Sequence, residues 1–293
     1  MVKADTLVSI GLPVRNAGER VIPVVESVLA QDHPNVELVI SDNGSTDDTE
    51  EVCRALAARD DRIAYHRQPH NIGLFNNFVR TITVANGAFF RWIGDDDRLG
   101  PTFVSRCLRE FDEDPRLILV TTQVAYLGPD NGTQTASYDG TALRSADPVD
   151  RLAELLRLLN ESHLLIDPLY GMMRRAPVAA IPRRNMLRED EVFAVKLALA
   201  GPWGHVPEVL ARRGWKHDKL SDIARRLDVP AWQSHFATTL QCLEILRWLR
   251  GADLSPEQLS QARSAVYRMY AGRQARTVRH RSRKLLRMAM ARH

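Results

Sequence analysis

The chain has 293 residues, 44% of them hydrophobic, with 40 Lys and Arg against 36 Asp and Glu for a formal net charge of +4. That is apolar material for one large globular domain or two modest ones, and it excludes a disordered chain. The first thirteen residues hold no long apolar signal core and no stretch reaches the roughly 18 to 20 apolar residues that span a bilayer, so neither secretion nor a transmembrane anchor is expected. Cys53, Cys107 and Cys242 have neither disulfide-framework nor zinc spacing, which fits a reducing cytoplasm. The charge is unevenly spread. From Arg273 onward eight Lys and Arg stand without an acid, so the remainder is net acidic, 32 basic against 36 acidic residues, and the pI of 9.1 belongs to the tail.

Residues 7–12 and 36–40 are short apolar, partly β-branched runs closed by Pro13 and by Ser41-Asp42-Asn43-Gly44, and both read as buried strands. Between them Val21, Val24, Val25, Val28 and Leu29 recur at helical spacing, which makes a βαβ unit. Ser45 or Thr46 is placed to cap a helix over 50–58, followed by a strand over 63–68. A helix over 75–84, a strand over 89–93, a helix from Pro101 to about 111 and a strand over 117–122 continue the alternation. Such alternation predicts a mostly parallel sheet covered on both faces, with ligands bound beyond the carboxyl ends of the strands. Residues 128–148 read as a long polar loop. Beyond it the pattern predicts a helix over 150–159, strands over 168–173 and 208–211, and a helix over 189–200 whose first turn carries Glu189, Asp190 and Glu191. From Pro230 the chain turns helical, over 232–249 and 256–290.

Asp95, Asp96 and Asp97 follow the apolar pair Trp92-Ile93 and precede Gly100-Pro101. Like charges this close repel unless something positive answers them. Carboxylates at the end of a strand place hard oxygen ligands where the sheet meets solvent, which suits Mg²⁺ or Mn²⁺ carrying a phosphate. The plainer alternative is a solvated acidic turn. The acids at 189–191 have a plain reading too, as complements to a helix dipole.

Val8-Ser-Ile-Gly-Leu-Pro-Val-Arg-Asn16, Ser27-Val-Leu-Ala-Gln31, Glu37-Leu-Val-Ile-Ser-Asp-Asn-Gly-Ser-Thr-Asp47, Asn71-Ile-Gly73 and the aspartate triplet together resemble the family 2 glycosyltransferases of the GT-A fold. The resemblance is sharp over 7–111, weaker over Tyr170-Gly-Met-Met-Arg174 and 190–210, and ends near Ser221. It implies a GT-A domain over 1–221, with a nucleotide-sugar half at 1–122 and an acceptor half at 123–221, and a basic helical extension at 222–293. It further implies inverting transfer of a sugar from a UDP- or dTDP-sugar to a hydroxyl of a glycan, lipid-linked or small-molecule acceptor, in cell-envelope glycan or glycolipid synthesis. On the matching positions, Pro13, Val14, Arg15 and Asn71 border the nucleotide, Asp42 reads the base, Asp95 lies near the ribose, and Asp96 binds Mg²⁺ or Mn²⁺ with Asp97 as a second or water-mediated ligand. Asp190 matches the family base, with Glu189 and Glu191 left open beside it. Arg213, Trp215 and His217 stand where members contact the diphosphate or the sugar. Many members carry an acid where this chain has Gly94, which leaves the assignment of roles across the triplet open by one residue.

The basic tail, interleaved with Val278, Leu285, Leu286, Met288 and Met290, is a candidate for an anionic membrane surface; nucleic acid is not expected, because no aromatic platform accompanies the charge. Two other functions compete. A nucleotidyltransferase wants a Gly-rich basic loop after the first strand, which the stretch from Pro13 to Arg20 does not supply. A non-catalytic nucleotide-sugar-binding or membrane-surface scaffold has no need of a base at Asp190.

Overall fold

The computed structural model describes residues 3, 5–128, 132–214 and 218–290, the last with backbone alone at 280–281 and 283–290. The chain runs β1 (Val8–Val14), a 3-10 turn, α1 (Ile22–Leu29), β2 (Val36–Asp42), α2 (Thr49–Ala57), β3 (Ile63–Arg67), α3 (Leu74–Val84), β4 (Phe89–Trp92), β5 (Arg98–Leu99) and α4 (Phe103–Glu113). It continues through β6 (Leu119–Leu127), β7 (Thr133–Gln134), α5 (Pro148–Glu161), β8 (Met172–Arg174), α6 (Arg175–Ala179), α7 (Glu189–Ala200), β9 (Trp203–Gly214), α8 (Leu220–Arg226), α9 (Gln233–Leu249) and α10 (Pro256–Met290).

One sheet orders the strands β3-β2-β1-β4-β8-β6-β9-β5, with β7 paired to β6. β1 pairs in parallel with β2 and β4, and β2 with β3. The register sets Val14 beside Asp42 and Asp42 beside Arg67, so three consecutive strands deliver their last residues to one edge. The antiparallel β8 bridges β4 to β6. β6 then runs parallel to β9 over both their lengths, with register shifts around Gln123.

Because side chains alternate along a strand, the sheet feeds two cores. Phe89 joins the core that α1 and α4 close, while Phe90 and Trp92 join the core of α5, α7, α9 and α10. In that second core Cys242, Ile245 and Leu249 of α9 and Ala262, Val266 and Met269 of α10 are all buried. Burying one Val or Met side chain contributes about 1.5–3 kcal/mol, against about 0–1 for an exposed ion pair, so apolar contacts rather than surface charge dock these helices. On α9 Leu243 points out, and the inward line is Ala237, Gln241, Ile245 and Leu249, the i, i+4 row of a regular helix. The boundary anticipated near Ser221 falls within α8.

Several elements differ from expectation. β9 extends over twelve residues and β6 over nine, longer than their apolar runs, because each satisfies the other's backbone even where its side chains are polar. Residues 168–170 form a 3-10 turn ahead of the short β8. The polar loop holds Tyr138 and Leu143 buried. Ser45 and Thr46 do not cap α2; its N-cap is Asp48, and the Ser45 hydroxyl is committed to Asp42. Among the described residues no helix is long and apolar enough to cross a membrane.

Candidate active site

A cleft of about 1690 Å³ opens along the carboxyl ends of β1, β2 and β4 and is walled on its other side by the start of α7, residues 166–170 and α8. The stretch after β2 builds its rim by hydrogen bonding to itself and to the loop after β1. Asp42 Oδ1 accepts from Ser45 N at 2.9 Å and Ser45 Oγ at 2.6 Å, and Oδ2 accepts from the Tyr65 hydroxyl at 2.7 Å with Arg67 Nε 3.5 Å away. Asp47 Oδ1 accepts from the Thr49 hydroxyl at 2.5 Å, and Thr49 Oγ1 in turn accepts from the backbone N–H groups of Ala17 and Gly18. Gly44 turns the chain at φ +63°, where a Cβ would come 2.8 Å from the His70 carbonyl carbon. That close approach lets Asn43 and Asn71 join, Asn43 Nδ2 donating to Asn71 Oδ1 at 2.7 Å. Asn77 of α3, which no local motif singled out, ties Ser41 to Val14 from below.

Pro13, Val14, Arg15, Asn71, Asp95 and Asp96 all line this cleft. Asp42 does not: it is fully buried with both oxygens engaged by Ser45 and Tyr65.

The triplet's mutual repulsion is answered by arginines distant in sequence. Arg20 pairs with Asp95 at 3.1 Å, and Arg213 at the end of β9 meets both oxygens of the buried Asp97 at 3.2 Å. Asp97 also accepts from the Gly94 N–H at 2.9 Å, so the glycine that departs from the family pattern closes a turn around that carboxylate. Asp96 is exposed on the cleft and lies over Gly214, where a Cβ would come 2.8 Å from its Oδ2. Among the described residues no three His, Cys, Asp or Glu converge into a metal cage. The donor set nevertheless fits Mg²⁺ or Mn²⁺, hard ions that take one or two carboxylates and draw their other oxygens from phosphates and water.

Arg213 has a second partner in Asp167, and its guanidinium stacks 3.4 Å from the Tyr170 ring centroid. Although burial pulls its pKa down, Tyr170, Asp167 and Asp97 hold it well above the ordinary value. Asp167 also accepts from the Tyr126 hydroxyl at 3.1 Å. Arg91 of β4 is a further cation beneath the triplet: fully buried, it donates Nε to the Tyr170 carbonyl at 2.9 Å and stacks over Phe103, and burial lowers its pKa to about 10. Sequence reasoning missed Asp167 and Arg91, the first lying outside any motif and the second inside an apolar run read as plain strand. Trp215 and His217 lie outside the described residues.

The three acids that open α7 separate into distinct settings. Glu189 is buried and doubly bonded to Arg183, at 2.8 and 2.5 Å, and that guanidinium is stacked on Phe193 and Trp92. Glu191 is held by Arg188 at 2.5 Å and Arg273 at 2.6 Å; burial would raise its pKa, but Arg273 and Arg188 bring it below the ordinary value. Asp190 faces the cleft with no ion-pair partner among the described residues. Its side chain is exposed to solvent in the cleft. The protein mass around the cleft, with the charges of Glu191, Glu189 and Asp167, raises its pKa to about 6.

The sequence model of glycosyl transferase family 2 matches residues 9–180, more than half of the chain. The chain belongs to glycosyl transferase family 2. Relatives of this family 2 chain include Glycosyltransferase GlyG of Streptococcus pneumoniae serotype 4, 28% identical over 107 residues that make up 36% of either protein. Others are the chondroitin synthase of Pasteurella multocida, 32% identical over 45% of this chain and 14% of that protein, and the GalNAc(5)-diNAcBac-PP-undecaprenol beta-1,3-glucosyltransferase of Campylobacter jejuni, 30% identical over 36% and 34%. The matched region thus spans about a third or less of these relatives. S. aureus TarS 1-349 in complex with UDP-GlcNAc superposes with a TM-score of 0.66 at 16% identity, covering 90% of this chain and 72% of that one. The mannosyltransferase PcManGT from Pyrobaculum calidifontis, in complex with GDP-Man and Mn²⁺, gives a TM-score of 0.57 at 15% identity, covering 98% and 80%. The family 2 chain therefore has the fold of the GT-A glycosyltransferases.

Proposed function

We propose that the protein transfers a sugar, with inversion, from a UDP- or dTDP-sugar to an acceptor hydroxyl in cell-envelope glycan or glycolipid synthesis. The observation that carries this reading is that Asp96 and Asp190 open onto one cleft at the carboxyl ends of the parallel strands, with Asp190 holding a pKa of about 6. Asp190 takes the acceptor's hydroxyl proton while that oxygen attacks the anomeric carbon opposite the leaving nucleoside diphosphate, whose C–O bond breaks. Arg15 and Asn71 border the nucleotide, Asp95 meets the ribose, and the Asn43–Asn71 rim meets the base. Arg213 orders the floor under the diphosphate. Asp96 would hold Mg²⁺ or Mn²⁺, which when bound would supply positive charge to the departing phosphates. The UDP-GlcNAc named in the TarS complex supports a uridine donor, and the undecaprenol-linked substrate named for the Campylobacter relative supports an envelope acceptor.

Calorimetry with UDP and dTDP tests the donor side. Binding is expected to tighten at least about tenfold with Mn²⁺ and to lose that dependence in Asp96→Ala, about 1.4 kcal/mol; metal-independent binding in the unmodified protein counts against the reading. Association of the basic α10 with anionic membranes belongs to the same proposal. Liposome flotation of the full chain and of a chain ending at residue 279 should separate them, and equal recovery of both in the soluble fraction removes the membrane from the scheme.

A further inference from the structure

Glu191 is held from behind by a residue 82 positions away. Arg273 of α10 donates Nη2 to Glu191 Oε2 at 2.6 Å and to the Leu159 carbonyl at 3.2 Å, Nη1 to Gln241 Oε1 at 2.8 Å, and Nε to Asn160 Oδ1 at 2.7 Å. Gln241, fully buried on α9, gives its Nε2 to the same Glu191 oxygen at 3.0 Å. One guanidinium therefore joins the end of α5, the middle of α9 and the body of α10 to the first turn of α7. Its side chain is only 11% exposed, so the contact is not a surface ion pair of negligible worth. Every edge of the planar fork is used, a pattern lysine cannot reproduce.

We propose that Arg273 is a positioning residue for Asp190: by engaging the Glu191 carboxylate from α10, it leaves Asp190 as the cluster's cleft-lining acid without an ion-pair partner among the described residues and fixes the turn that carries it. The proposal rests on the reading of Asp190 as base. The groups facing Asp190 are Glu189 and Glu191 on α7 and Asp167 ahead of the Pro168–Tyr170 turn, while Asp96, Arg213 of β9 and Asp222, Arg225 and Arg226 of α8 line the same cleft. Without Arg273, Glu191 keeps Arg188 and Gln241 but loses a full positive charge. The negative field at Asp190 then deepens, and its proton is held more tightly.

The test compares Arg273→Gln, Arg273→Lys and a control, Arg268→Gln, whose side chain is exposed on the same helix and donates to Ser264 Oγ at 2.9 Å. Carboxyl ¹³C titration, with the Asp190 signal assigned by its loss in Asp190→Asn, reads the apparent midpoint of the Asp190–Glu191 pair without needing turnover. Arg273→Gln should raise that midpoint by about one unit, move the acid limb of kcat the same way and lower kcat several-fold with donor KM unchanged. Arg273→Lys should restore the midpoint and leave kcat reduced, and Arg268→Gln should match the unmodified protein. An unmoved midpoint in Arg273→Gln, or a kcat loss equal at every pH, overturns the proposal. Should Arg273→Gln fail to fold, Arg273→Lys decides: unmodified kcat in that variant overturns it. If the unmodified protein transfers no sugar from any donor, the functional reading fails by itself, while the titration still decides the role of Arg273.

Discussion

Asp190→Asn will lower turnover by roughly 10²- to 10⁴-fold, the usual worth of a positioned general base, while donor affinity stays within about twofold. The substitution preserves shape and removes the basic oxygen. The unmodified enzyme supplies the companion result. The pKa of Asp190 is raised above the ordinary aspartate value to about 6, and in the proposed mechanism the ionised form is the competent one. Turnover should therefore be level above that pH and fall about tenfold per unit below it as the carboxylate takes up its proton. Nucleoside diphosphate release measured from pH 4.5 to 8.5 reads both effects. Full turnover in Asp190→Asn would remove the base from the mechanism.

Arg213→Met should be the most destabilising single change near the cleft. It leaves Asp97, 1% exposed, and Asp167, 16% exposed, without their shared cation. Breaking such a buried arrangement from one side costs about 3–5 kcal/mol, which for a chain of this size lowers the melting midpoint by roughly 10 °C. Adding Asp97→Asn to Arg213→Met should recover part of the loss. A variant that melts within about 2 °C of the unmodified protein would show that Arg213 is not holding these carboxylates.

The nucleotide half was legible because its signals are local. Apolar runs closed by Pro13 and by Ser41-Asp42-Asn43-Gly44 mark β1 and β2 without reference to anything distant, and the sheet places the ends of both beside Asp95 and Asp96. The acids at 189–191 were legible as a cluster, but not which of them is left without an ion-pair partner among the described residues. Their separation depends on Arg183, Arg188 and Arg273, and only folding brings the last of these within reach. Arg213 and Asp167 illustrate the same limit. Each is an ordinary charged residue in sequence, and their meeting under the triplet is fixed by the long β6–β9 pairing, whose polar residues hid it. The Asp42 stretch was recognisable as a motif, yet the sequence did not disclose that its side chains face inward to knit two loops.

The sharing of one core by α5, α7, α9 and α10 bears on the order in which the protein matures during synthesis. Strands β1 and β2, which carry Val14 and Asp42, find all their partners within the first hundred residues, so the edge at their carboxyl ends can assemble early. Helix α7 cannot settle in the same way, because the guanidinium that steadies its first turn is translated more than eighty residues later. A ribosome-bound chain ending near residue 230 would thus present the ends of β1 and β2 without a fixed Asp190, and under the proposed mechanism competence for transfer would arrive only as α10 emerges.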